Sequence, residues 1–371
     1  MAHIRAHLSD VCRWSTGREI EAAEIFAASL GMAAPILLAG MSGSNDPTSG
    51  LTAALGAFAI GRVQIATGFR THLRRQGQAL AAALLAAFLA VICAGHGWLT
   101  NAALLLLAGT AAIIGGFSRD MAVATTRVIL FLMIMSAVAT PAQALGAKGA
   151  AGFLILVAGG ALWASALDLA FGAIARRHRQ VKACASPSHP MPNIHQKYTR
   201  WRRSLTSFTG WTYPLRLVLS LAVAMAIDSS WPGHHFHWIG VTAAILTKRQ
   251  VEPLPVTTTQ RALGTALGVA VAASTLHWGL PLRALAGAVG ILAGIRPLLR
   301  ERNYLAYSAM MTPLIILIID AGRKPDGNLL FDRLVATLIG AGLVIGANFL
   351  ITKLSVSRCL WAGKSLNRSD I

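Results

Sequence analysis

GQALAAALLAAFLAVICAGH, residues 77–96, is followed after Gly97 by WLTNAALLLLAGTAAIIGG, residues 98–116, and neither stretch holds an Asp, Glu, Lys or Arg. At 1.5 Å per residue each makes a helix of about 30 Å, the thickness of a bilayer's hydrocarbon core. Working outward, further apolar stretches lie near 22–41, 49–61, 121–139 and 149–174, then near 213–230, 235–247, 261–279, 281–296, 303–320 and 332–352. That makes about twelve spans by length and hydropathy. Composition agrees: 55% of the 371 residues are apolar and 13% charged, against about 25% charged in a soluble domain. The spans consume most of the chain. The sequence therefore predicts an all-α polytopic membrane protein and excludes a water-soluble enzyme.

The formal net charge of +19 acquires its meaning from where the cations fall. With the N-terminus inside, Lys and Arg crowd the cytoplasmic loops and tails, notably 176–203. Only Lys148, Arg283, Arg323, Lys324 and Arg333 lie outside, and Arg127 and Arg216 lie within spans. This is the positive-inside bias of membrane proteins and calls for no nucleic acid. Both termini are expected in the cytoplasm of a bacterial inner-membrane protein. Residues 1–20 lack the short apolar core of a cleaved signal. Cys12, Cys93, Cys184 and Cys359 have neither zinc spacing nor the density of a disulfide framework.

The two halves repeat. Leu51-Thr52-Ala53-Ala54 matches Val241-Thr242-Ala243-Ala244, Arg74 with Gly77 matches Arg261 with Gly264, Arg119-Asp120 matches Arg302-Asn303, and Gly160 with Asp168 matches Gly340 with Asn348. The sequence offset shrinks steadily along the chain, as expected of one duplicated six-helix unit that lost loop residues. Six spans per unit give two repeats of the same orientation, with substrate held where they meet. The expected modules are 1–175 and 211–354, joined by a basic linker at 176–210 that resists helix around Ser186-Pro187-Ser188-His189-Pro190-Met191-Pro192, with a cytoplasmic tail at 355–371.

The second module resembles the fusaric acid resistance protein family, which includes bacterial aromatic acid exporters and is distantly similar to plant aluminium-activated malate transporters. The resemblance rests on Arg216, Trp238-Ile239-Gly240-Val241-Thr242, Arg261 through Gly268, Arg302-Asn303-Tyr304, and Arg333 through Gly340. It implies efflux of small aromatic or other organic acids across the inner membrane, with a periplasmic adaptor or a second copy of the chain as candidate partners beside substrate and lipid. In the first module Phe153 stands opposite Arg333, and no tryptophan precedes Thr52.

Ionisable side chains at bilayer depth are default candidates for function. Arg127 and Asp168 are expected either to form a proton-coupled anion gate, in which substrate displaces the aspartate, or to be a permanent pair joining two helices. Glu24 and Arg216 meet across the repeat interface or snorkel to the surface. The short segments at 49–61 and 235–247 suggest broken helices whose ends hold an anion with Thr52 and Thr242, or close packing by the TAA triplet. Arg261 either opens a cationic vestibule with Lys248 and Arg249 or marks the start of a small-residue packing helix. Arg333 lies at the outer entrance, where it attracts carboxylate or pairs with Asp332 or Asp326. Trp238 belongs to an aromatic belt or stacks on substrate. His234, His235 and His237 read as interfacial rather than metal-binding, and no cofactor is expected.

No Walker A loop, HExxH or nucleophile elbow is present, so active transport is expected to draw on the proton gradient, the membrane potential or a partner subunit. A passive anion channel and a scaffold that moves nothing are the competing functions.

Overall fold

A computed structural model describes residues 9–16, 20–41, 47–61, 68–179, 193–249, 254–277, 280–320 and 327–366. The described residues are helical with connecting turns and contain no strand. The first half holds α1 (Ala22–Met41), α2 (Thr48–Ile60), α3 (Phe69–Cys93), α4 (Trp98–Ile114), α5 (Arg119–Ala144) and α6 (Gly146–Arg179). After α7 (Ile194–Thr206) come α8 (Phe208–Ser230), α9 (His237–Leu246), α10 (Leu254–His277), α11 (Leu282–Arg302), α12 (Tyr304–Asp320) and α13 (Gly327–Leu366).

Seven of these helices, α1, α3, α5, α6, α8, α11 and α13, are long and apolar enough to cross a membrane. Outward faces carry large apolar side chains such as Leu106 on α4 (72% exposed), Ile155, Ile291 and Phe349. Water does not tolerate that much apolar surface, and lipid does. Four more apolar helices, α2, α4, α9 and α12, are shorter, and α10, with 24 residues, is long but less apolar. α9, with 10 residues, rises only about 15 Å. It is buried from Trp238 to Ala244, and α2 is buried from Ala54 to Ile60, so other helices wrap each of these two short ones.

Helix ends depart from the hydropathy limits. α3 begins at Phe69 and takes in Arg70, Arg74 and Arg75, α10 begins at Leu254, and α13 runs on to Leu366. Hydropathy marks only the apolar part of a helix, whereas straight-chain polar residues continue the backbone hydrogen bonding past it. The linker also corrects expectation in part. Asn193 and Gln196 form a capping box that starts α7. The Ser186 to Pro192 stretch lies outside the described residues.

Packing follows small residues. α6 lies on α2 where a Cβ on Gly160 would overlap the Ala53 backbone, and one on Gly56 would overlap Val157. Gly264 and Gly268 of α10 face Leu305, Ser308, Ala309 and Thr312 of α12 with the same closeness. α3 packs on α5, α9 on α13, α1 along α11 and α4 along α8. The last two contacts join the halves, and Ser29 Oγ donates to Gly290 O at 2.7 Å across the first.

One end of the bundle is basic and carries two straps. Residues 9–16 lie against the α11–α12 junction, with Ser15 N donating to Arg302 O (2.9 Å) and Gln260 Nε2 to Val11 O (2.9 Å). Likewise α7 lies against the α4–α5 junction, where Trp201 Nε1 donates to Ile113 O (3.1 Å).

Replacing Gly160 by Val is expected to lower the melting temperature of the detergent-solubilised protein, because overpacking costs about 1–3 kcal/mol. Gly159→Val, at a position where a Cβ meets nothing within 4 Å, leaves it unchanged. Equal melting temperatures for the two variants would refute the close α2–α6 contact.

Candidate functional site

The seam between the halves holds a group of arginines near the basic end. Ser118 caps α5 by accepting from Met121 N (3.2 Å), which sets Arg127 about 12 Å along the helix. Its guanidinium turns toward Gly61 at the end of α2, and the charges acting on it are those of Arg300 and Arg296 on α11. Arg296 is buried and lies over the Phe58 ring at 5.3 Å, with Tyr307 also in electrostatic reach. Three cations from two halves of the chain thus act on one another, Arg296 buried, Arg127 half-buried and Arg300 exposed.

Beside them lies a cavity of about 30 Å³ lined by Glu24, Gly31, Gly61, Asp168 and Arg296 among others. It has room for water and for no organic substrate. The expected Arg127 to Asp168 pair is not what forms: Asp168 Oδ2 lies 3.0 Å from His72 Nε2. α3 packs against both α5 and α6, and its buried face places His72 beside the carboxylate while Arg127 turns to Gly61 and α11. Sequence reasoning misses His72 because it sits in the basic stretch before the apolar run. A signal exists nonetheless: His72, Gln76, Ala79, Ala83, Ala86 and Ala90 continue one buried stripe at helical spacing.

Arg216 does not meet Glu24 either. It donates to Asn348 Oδ1 (2.8 Å), to Lys248 O (3.3 Å) and to Thr212 O (3.2 Å). Asn348 is the residue aligned with Asp168, so an uncharged amide accepts from this arginine where the first half has a carboxylate. Arg249 donates to Ala112 O (2.6 Å) and covers the Tyr213 ring at 4.4 Å, and Tyr213 hydrogen-bonds Thr126, next to Arg127. Lys248 lies 5.6 Å from the centre of the Tyr304 ring, to which the buried Arg261 is hydrogen-bonded. The expected grouping of Arg261 with Lys248 and Arg249 is therefore built around two tyrosines. Burial pushes the Lys248 ammonium and the Arg249 guanidinium down from their ordinary values. The ends of α2 and α9 that reach these cations are C-terminal and present carbonyls. Backbone N–H groups of the short helices are thus not what an anion would meet here.

At the opposite end Arg333 lies 3.5 Å from the centre of the Trp238 ring, both fully buried. Trp238 is therefore a core residue and not part of an interfacial belt. Asp332 accepts from His235 N (2.9 Å) and faces His234 Nδ1 (2.9 Å), so these histidines fix the start of α13. Asp326 lies outside the described residues. Thr242 packs its methyl side on Gly340. In the first half the corresponding end holds a larger, mostly apolar cavity of about 360 Å³, lined by Thr48, Thr52, Val138, Phe153 and Ile319 among others.

The profile of the family described as Fusaric acid resistance protein-like matches residues 219–347, from α8 to the middle of α13. The chain is similar to that family over this segment, which includes Trp238, Thr242, Arg261 and Arg333 and begins just after Arg216. No curated protein matches the chain, and no solved structure does.

Trp238→Ala is expected to destabilise the protein by about 3–5 kcal/mol, as for other buried aromatics, and Trp238→Phe by much less, since a ring remains under Arg333. Thermal unfolding in detergent measures both. An alanine variant as stable as the parent would show that the stack is not structural.

Proposed function

We propose that this chain is a multi-pass inner-membrane transporter that moves small organic anions, aromatic carboxylates foremost, outward from the basic, cytoplasmic end. Its twelve apolar helices act as two six-helix repeats of the same orientation. The observation that carries this reading is the convergence of Arg127, Arg296 and Arg300 at the seam. The three repel one another, and Arg296 and Arg127 are also withdrawn from water wholly or in part, so an arriving carboxylate relieves both costs at once. Tyr304, Tyr307 and Phe58 supply aromatic surface beside them. Arg261, Lys248 and Arg249 form the approach from the cytoplasm. Arg216 shapes the second half, and Arg333 on Trp238 keeps positive charge at the exit, with Thr242 in the packing behind it.

The repeat reading is supported by matched pairs of contacts: α2 on α6 as α9 on α13, α3 on α5 as α10 on α12, and α1 on α11 as α8 on α4. The similarity to the fusaric acid resistance family supports the substrate class. An inside-negative potential drives a monoanion outward by about 2.3 kcal/mol per 100 mV, so the reading needs no nucleotide site, and a proton gradient is the other available source.

Purified protein in liposomes loaded with labelled benzoate is expected to release it when a potential, negative inside the compartment the basic end faces, is imposed. Arg127→Gln should cut the rate about 10- to 100-fold, the range for one charge-assisted contact. Parent vesicles that release none of a panel of aromatic acids would reject the reading.

A further inference from the structure

We infer that His72, Asp168 and Glu24 form a proton-binding site linked to the arginines, so that an organic anion settling at Arg127 and Arg296 draws a proton into the cavity beside them. This rests on the anion-carrying reading and adds to it the group that titrates.

The geometry places acid, base and arginine around one small space. Asp168 and Arg296 line the same cavity of about 30 Å³ as Glu24, and Gly61, also in its wall, is the residue toward which Arg127 points. His72 reaches Asp168 at 3.0 Å from the far side. His72 is wholly buried and Glu24 nearly so, and Gln76, one turn along α3, is buried with neither amide atom hydrogen-bonded among the described residues. The space is large enough for a water molecule, which is what a proton needs to arrive.

Among the described residues, most of the packed helices bring charge to the site. α1 brings Glu24, with Glu21 one turn before it, α3 brings His72, α5 brings Arg127, α6 brings Asp168, and α11 brings Arg296 with Arg300 behind it. α2 and α4 contain no ionisable residue at all. The positive charge of the arginines disfavours an added proton on the carboxylates and imidazole beside them. A carboxylate ligand on the arginines cancels part of that positive field, so the nearby acids and imidazole gain affinity for a proton. The balance at the site is protein plus anion plus one proton giving the protonated, anion-loaded protein, and reciprocity requires acid conditions to tighten anion binding. The corresponding place in the second half holds Arg216 on Asn348, a pair without a titratable carboxylate or imidazole, so among the described residues the site has no twin. It lies near the basic end and exchanges its proton with the water there, so the pH on that side sets the affinity while the species carried across stays the monoanion.

The test is titration calorimetry of the full-length detergent-solubilised protein with benzoate, near pH 6.5, about where a free histidine titrates. Two buffers of different ionisation enthalpy are used, and the affinity is then followed across neighbouring pH values. The expected result is net uptake of up to one proton per benzoate, with affinity rising up to about tenfold per pH unit of acidification. Asp168→Asn and His72→Gln should each flatten that slope while leaving benzoate binding measurable. Benzoate binding in the parent with no proton uptake and no pH slope overturns the inference and leaves the anion reading standing. A slope that both variants retain overturns it as well. If benzoate and other aromatic acids fail to bind the parent at any pH, the anion reading falls and the inference with it. A melting curve for each variant separates loss of the proton site from loss of the fold.

Discussion

Keeping positive charge between apolar helices is the constraint on which this molecule turns. A guanidinium withdrawn from water loses several kcal/mol of hydration unless its donors are met, and the protein meets that cost differently at each arginine. Arg216 spends its donors on an amide and two carbonyls. Arg249 has a carbonyl and a tyrosine ring, and Arg333 has the face of Trp238. These are closed arrangements that tie elements together: α8 to α13, the α9–α10 connection to α4, and α13 to α9. Arg127 is placed otherwise, turned to a glycine and in the field of two further arginines. Among the described residues the first three are satisfied locally, whereas Arg127 meets no carboxylate, and on the proposed reading that difference separates architecture from transport.

The helices are legible in the sequence because lipid imposes a length and a hydropathy that few other structures share. Residues 22–41 and 98–116 can be read almost to the end residue. Other helix ends cannot, since Arg70, Arg74 and Arg75 are good helix formers with no apolar signature, and α3 begins before them. Arg127, Asp168, Arg216 and Arg261 stand out as charges in apolar surroundings, which is a local property. Which of them meet is a property of helix rotation, and nothing local records it. Hence sequence reasoning gives the aspartate the wrong partner, and it passes over His72, hidden among exposed basic residues, although the spacing to Gln76 and Ala79 marks the buried face.

The halves use similar helix contacts for different ends. Where the first half has Asp168 beside His72, the second has Asn348 beside Arg216, so an aspartate and an imidazole in one half stand opposite an amide and a guanidinium in the other. At the other end of the bundle the asymmetry reverses. Phe153 lines an open cavity of about 360 Å³, whereas the residue aligned with it, Arg333, fills its own space by lying on Trp238. On the proposed reading, an anion meets cations of both halves near the basic end and apolar room in the first half at the far end.

That separation says what a transport cycle must do. The space at the arginines, about 30 Å³, admits water and excludes a benzene ring, so an aromatic acid reaches Arg127 and Arg296 only if helices part at the basic end. The contacts that hold this end shut are few and polar at their edges. α1 is held to α11 through Ser29 and Gly290, residues 9–16 are tied to 260 and to 301–303, and α7 is tied to α4 by Trp201. Each strap precedes the first helix of one half and grips the other half, since α1 lies on α11 and α8 on α4. Opening either cross-half seam therefore pulls on a strap of the same chain segment, and it also parts close helix packing, since Gly290 and Gly294 of α11 lie against Ser29, Ala33 and Ile25 of α1.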